Sequence, residues 1–136
     1  MVGAKADVRK ILLVDDDELV RDLVAATIRD SKYTLLHADD GKSALHMARE
    51  EAPDLVFLDV NMPVMDGVAV CKALKSDPRT RNIAVIMLTA LGHDEDRKRA
   101  ERAGANGYFI KPFSPLRLLR KIDEVLAERN VSTMSR

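Results

Sequence analysis

Cysteine occurs once in the 136 residues, at Cys71, and tryptophan does not occur at all. A lone cysteine excludes an intramolecular disulfide and a cysteine-based zinc centre, and makes a reducing compartment the natural setting. Its expected role is that of a small buried hydrophobe rather than a reactive thiol. Net charge is lacking too. The 22 basic residues balance the 22 acidic ones, so composition gives no reason to expect nucleic acid, and any DNA-binding module is expected outside this chain. No segment approaches the ~20 apolar residues of a membrane span. Residues 1–9 are polar and lack the apolar centre of a signal peptide. A cytoplasmic location is therefore expected. His37, His46 and His93 are scattered without metal-ligand spacing and are assigned surface or packing roles.

What is present suits one globular domain: 46% hydrophobic and 32% charged residues in a length that builds a single sizeable core. The most informative stretch is Leu55-Val56-Phe57-Leu58-Asp59-Val60-Asn61-Met62-Pro63-Val64-Met65-Asp66-Gly67. An unbroken apolar run, the pattern of a strand covered on both faces, stops on a carboxylate and passes into turn formers. The same design recurs along the chain. Lys10 to Val14 is an apolar strand that stops at Asp15, Asp16 and Asp17; Ile83 to Leu88 is another, stopping at Thr89; Tyr108 to Ile110 is a third, stopping at Lys111-Pro112. Tyr33 to Ala38 completes the set of five strands.

Between them, helical spacing predicts helices over about 18–30, 41–51, 67–75, 93–103 and from Ser114-Pro115 onward. The fourth of these has Ala100 as its only apolar residue between Asp94 and Arg102, so it is expected to be weakly anchored and the most mobile. Residues 1–9 are expected to be a loosely held N-terminus, 10–128 the domain, and 129–136 a tail or the start of a linker. Five strands alternating with five helices through short loops predict an α/β fold with a doubly wound parallel sheet. Right-handed crossovers then bring Asp15, Asp16, Asp17, Asp59, Thr89 and Lys111 to one edge of that sheet, where ligands of open α/β sheets bind.

Carboxylates crowded at one point require a cation, and an all-oxygen donor set with room for water suits Mg²⁺ or Mn²⁺. Lys111 adds a positive charge and Thr89 a hydroxyl, groups that stabilise a phosphoryl group in transfer. A carboxylate left to attack would form an acyl phosphate.

Val14-Asp15-Asp16, Asp59 with Met62-Pro63 and Asp66-Gly67 behind it, Leu88-Thr89-Ala90, and Gly107-Tyr108 through Lys111-Pro112-Phe113 resemble the receiver domain of two-component response regulators, of the chemotaxis-regulator type. The resemblance covers about residues 10–128 and implies a flavodoxin-like receiver fold. It further implies that Asp59 is the phosphoacceptor, and that Asp16 and Asp59 bind Mg²⁺ through carboxylate oxygens. Asp15 would support the ion largely through water, and Asn61 would contribute its backbone carbonyl. Lys111 would pair with Asp59 or its phosphoryl group, with the following proline peptide in cis. Thr89 and Tyr108 would be the switch residues, moving the face formed by the fourth helix, fifth strand and fifth helix. The implied phosphodonor is a sensor histidine kinase or histidine phosphotransfer protein. The downstream effector is unspecified, and neither nucleic acid nor membrane is a direct partner. Such a domain acts only on itself, as a monomer or weak phosphorylation-dependent dimer. Apolar Leu91, where the family tunes access of water, implies a long-lived phosphoryl state.

Two other readings compete. Asp15-x-Asp17 after the first strand also resembles the haloacid dehalogenase phosphatases, with Asp15 as nucleophile and Asp17 as acid. Glu18, Leu19 and Val20 replace the small residues that family needs, however, and there is no length for a substrate-covering cap. A degenerate receiver used only for docking is disfavoured because every position expected for chemistry is occupied.

Overall fold

The computed structural model describes residues 9–62, 65–90 and 94–134, with backbone only for 128–134. Strands β1 (Arg9–Val14), β2 (Tyr33–Ala38), β3 (Leu55–Asp59), β4 (Ala84–Thr89) and β5 (Gly107–Ile110) alternate with helices α1 (Glu18–Arg29), α2 (Gly41–Glu51), α3 (Gly67–Ser76), α4 (Asp94–Arg102) and α5 (Pro115–Met134). The strands form one sheet in the order β2-β1-β3-β4-β5, every pair parallel. The doubly wound α/β fold expected from the alternation is present.

Alternation within each strand decides which helix covers which face. Leu12, Val14, Val56, Leu58, Val85 and Met87 point to one side, where they pack with Ala44 and Ala48 of α2, Val70, Cys71 and Leu74 of α3, and Ala100 of α4. Ile11, Leu13, Leu55, Phe57, Ile86 and Leu88 point to the other, against Val24 and Ile28 of α1 and Leu118, Ile122 and Leu126 of α5. The three central strands thus carry unbroken apolar runs, Ile11–Val14, Leu55–Leu58 and Ala84–Leu88, because both of their faces are covered there. Cys71 is fully buried, and burial pushes its thiol up to about 11, which makes it an inert packing residue. Among the described residues no helix is long and apolar enough to cross a membrane.

Helix starts follow the acids and hydroxyls of the sequence. Asp17, Asp40 and Asp66 are the N-caps of α1, α2 and α3, their carboxylates accepting from the amides of Leu19, Ser43 and Ala69 at 2.9, 2.8 and 2.9 Å. Ser114 Oγ accepts from Arg117 N at 3.2 Å before α5. That helix continues to Met134, beyond the boundary at 128 drawn from the sequence: its apolar stripe ends near Leu126, but no glycine or proline follows to stop it. At the opposite end β1 begins at Arg9, and residues 1–8 lie outside the described residues.

Helix α4 buries only Ala100. Its charged face is nonetheless engaged: Arg99 reaches Asp66 at 3.6 Å, and the Arg97 guanidinium lies 5.6 Å from the centre of the Tyr108 ring. Behind its C-terminus, Lys75 Nζ donates to Ile83 O at 2.7 Å and to Asn106 Oδ1 at 3.0 Å, while the same Asn106 oxygen accepts from Val85 N at 2.8 Å. These bonds fasten the turn between α4 and β5 to the start of β4.

Candidate functional site

The C-terminal ends of β1, β3, β4 and β5 carry the site. Past Val14 the backbone enters a loop in which three consecutive acids take three different places. Asp15 is fully buried, and its Oδ1 accepts from Asp17 N at 2.9 Å. Asp16 is exposed to solvent, and Asp17 caps α1. Asp59 closes β3, only 6% exposed, with its Oδ1 accepting from Asn61 N at 3.1 Å. One oxygen each from Asp15, Asp16 and Asp59 come within 4.8 Å of one another. Asn61 itself is exposed beside them.

The loop after β3 is drawn tightly over its end. Val60 N donates to Leu88 O at 2.8 Å and Gly67 N to Val60 O at 2.9 Å. A Cβ on Gly67 would stand 2.1 Å from the carbonyl oxygen of Asp59, so only glycine allows the start of α3 to approach the acid so closely. Lys111 N donates to Thr89 O at 2.7 Å, and the Lys111-Pro112 peptide is cis. Thr89 is fully buried, whereas Tyr108 is half-buried at the mouth of a cavity of about 260 Å³ shared with Arg97, Ala100 and Glu101.

Lys111 Nζ lies 2.8 Å from Asp15 Oδ2 and 3.7 Å from Asp59 Oδ1. Its ammonium is shared between the two buried acids and sits closer to Asp15, whereas the resemblance pairs it with Asp59. Asp15 Oδ2 accepts no hydrogen bond among the described residues, so the nearby ammonium acts on it as a charge rather than as an aligned donor. Burial raises the Asp59 carboxyl to about 6, the Asp15 charge adds to the rise, and Lys111 opposes it. Three crowded carboxylates with one lysine leave negative charge in excess. A hard divalent cation fits that deficit and the all-oxygen donor set.

Residues 11–123 match the family model of the response regulator receiver domain. The chain belongs to that family. This receiver domain is 39% identical over 127 residues to the phosphate regulon transcriptional regulatory protein PhoB of Escherichia coli, a match covering 93% of this chain and 55% of PhoB. The chain spans about half the length of the curated relatives it matches. Among solved structures it resembles the chemotaxis protein CheY4 of Vibrio cholerae, with a TM-score of 0.82 and 35% identity over 87% of this chain and 98% of that one. It also resembles the receiver domain of a sensor histidine kinase from Pseudomonas aeruginosa, solved with a magnesium ion in its active-site cleft. There the TM-score is 0.81 and the identity 28%, over 88% of this chain and 98% of the other.

All of the site residues expected of a receiver that the structure describes gather at this one edge: Asp15, Asp16, Asp59, Asn61, Thr89 and Lys111, with Tyr108 on the neighbouring strand. Leu91 and His93 lie outside the described residues. His37, assigned a surface or packing role from the sequence, stands with its Nε2 3.2 Å from the main-chain oxygen of Asp15. The available signal was its position one residue before the end of β2, paired across the sheet with Leu13.

Proposed function

We propose that this receiver domain is a phosphorylation-controlled switch that accepts a phosphoryl group on Asp59 from a histidine kinase or histidine phosphotransfer protein. A carboxylate oxygen of Asp59 forms the new P–O bond as the P–N bond of phosphohistidine breaks, and the imidazole leaves with a proton from solvent. The observation that carries this reading is the placement of Asp59 against Asp15, Asp16 and Lys111 at the end of a buried strand.

Asp16 and Asp59 would hold Mg²⁺, or Mn²⁺, through carboxylate oxygens, with the Asn61 carbonyl as a further ligand and Asp15 acting largely through water. The ion supplies charge neutralisation of the phosphoryl oxygens. The magnesium in the related kinase receiver supports this assignment. Lys111, already between the two acids, is placed to move onto an added phosphoryl oxygen. Thr89 would turn its hydroxyl toward that group and draw the following loop with it, and Tyr108 would shift inward. The α4–β5–α5 face then becomes the output surface, a reading supported by how little of α4 is buried.

The domain catalyses only its own phosphorylation and dephosphorylation, works in the cytoplasm, and is a monomer or a weak phosphorylation-dependent dimer. Nucleic-acid contact, where the whole protein makes any, belongs to residues outside this chain. The phosphohydrolase alternative loses ground because its nucleophile, Asp15, is fully buried with one oxygen on a backbone amide and the other against Lys111. The docking-only alternative loses ground because no position of the site is vacated by substitution.

Intact mass and peptide mapping after incubation with acetyl phosphate test the assignment. We expect one magnesium-dependent phosphoryl adduct on Asp59, absent from Asp59→Asn. Phosphate release dependent on Asp15, without an adduct on Asp59, would overturn it.

A further inference from the structure

The carbonyl of Asp15 projects past the last β1–β2 pair, Val14 with Ala38, into the space beside the end of β2. There His37 Nε2 reaches it at 3.2 Å and also stands 3.4 Å from Asp39 Oδ1. Both neighbours are acceptors, so Nε2 carries the proton and the neutral ring has the Nε2–H tautomer. Asp39 is in turn held by Arg21 Nη1 of α1 at 2.9 Å, and Arg21 Nη2 lies 3.7 Å from Glu18. A chain of polar contacts therefore runs from α1, over the loop after β2, to the main chain of the buried acid.

The consequence for the site follows from what holds Asp15. Its side chain is fixed by Asp17 N and Lys111, but its backbone, and with it the direction in which Asp16 leaves the strand, is held from the β2 side by His37. Asp16 is exposed and has no hydrogen bond among those described that would aim it independently. Groups that orient metal ligands from behind change metal affinity without touching the ion.

Resting on the metal site of the preceding section, we propose that His37 is a positioning residue for that site, its Nε2–H holding the Asp15 main chain so that the Asp15–Asp16 pair faces Asp59 ready to take a divalent cation. Asp39 and Arg21 set the orientation of the ring. The residue is specific to this purpose in shape as well as chemistry: a glutamine amide can present N–H near the position of Nε2, an asparagine amide is too short, and leucine has no donor.

Calorimetric titration of Mg²⁺ into wild type, His37→Leu, His37→Asn and His37→Gln, with the melting temperature of each measured without metal, decides the matter. We expect His37→Leu and His37→Asn to bind Mg²⁺ roughly tenfold more weakly, and His37→Gln to bind as wild type does, while the metal-free melting temperatures of Asn and Gln variants coincide. If His37→Leu does not fold, the Asn and Gln pair carries the comparison. Wild-type affinity in His37→Asn, or equal weakening in the Asn and Gln variants, would overturn the role of His37 while leaving the metal site standing. Absence of saturable binding by wild type would overturn the metal site, and this proposal with it.

Discussion

The ammonium of Lys111 is 2.8 Å from Asp15 Oδ2 and 3.7 Å from Asp59 Oδ1, so one cation bridges two buried acids carried by different strands. Removing one partner of such a set leaves the others buried and unpaired. We expect Lys111→Met to destabilise the metal-free protein by about 3 kcal/mol at neutral pH. The same change should move the Asp59 titration above about 6, because Lys111 is the leading influence that lowers it. Denaturant unfolding and carboxyl-carbon NMR read the two effects, and an unmoved Asp59 titration would show that the bridge is absent in solution.

The raised Asp59 carboxyl also makes stability depend on pH. In the unfolded chain it titrates near 3.8, in the folded protein near 6. Between those values the folded state keeps a proton that the unfolded state has released, so this group's contribution to stability falls as pH rises and levels off above 6. Metal-free wild type should lose on the order of 1 kcal/mol relative to Asp59→Asn between pH 4 and pH 7, after allowance for solvent screening at the mouth of the site. Saturating Mg²⁺, which favours the charged form, should remove the loss. Urea unfolding at stepped pH checks this, and parallel pH profiles for the two metal-free proteins would contradict it.

Gly67 is constrained by approach rather than by backbone angle. Its missing side chain is what lets α3 begin against the Asp59 carbonyl, and an alanine Cβ at 2.1 Å from that oxygen forces backbone apart. We expect Gly67→Ala to cost about 3 kcal/mol and to weaken Mg²⁺ binding, since either α3 or Asp59 must shift. Unfolding curves and metal titration on the same preparation are sufficient; unchanged values in both would place the glycine outside the site's architecture.

Thr89 is fully buried at the end of β4, with Lys111 N bonded to its carbonyl. Valine keeps the shape and removes the hydroxyl. On the proposed mechanism Thr89→Val still forms the Asp59 adduct but loses most of the phosphorylation-dependent change in amide exchange across α4 and β5. An exchange response equal to that of wild type would assign the coupling to another group.

Much of this arrangement was legible in the sequence because each central strand is an apolar run ended by a chemically distinct residue. The bounds of β2 and α2 coincide with those read from pattern alone, Tyr33–Ala38 and Gly41–Glu51. Strands β3 and β4 run one residue further, to Asp59 and Thr89, because ladder hydrogen bonds rather than hydrophobicity decide where a strand stops. Which of Asp15, Asp16 and Asp17 would be buried, exposed or capping was not legible from the residues themselves, since three identical side chains differ only in where the turning backbone aims them; the resemblance alone divided roles between Asp15 and Asp16. Nor was the preference of Lys111 for Asp15, which depends on side-chain reach across two strands. The link from His37 to the site was missed because its partner is a main-chain oxygen, which carries no signature in sequence. The engagement of Arg97 and Arg99 was hidden in a helix expected to be weakly anchored because Ala100 is its only apolar residue between Asp94 and Arg102.

The bonds from Lys75 and Val85 to Asn106 turn the far end of α4 into a fulcrum. A helix of nine residues is a lever about 13 Å long. With the turn behind Arg102 clamped to β4, a displacement of about 1 Å where the helix begins, on the side of Thr89, becomes a tilt of roughly 4° instead of a slide. On the proposed mechanism the motion would then be greatest at the site end of α4 and die away toward the opposite rim of the sheet, a signal given through one corner of a frame that otherwise stays still.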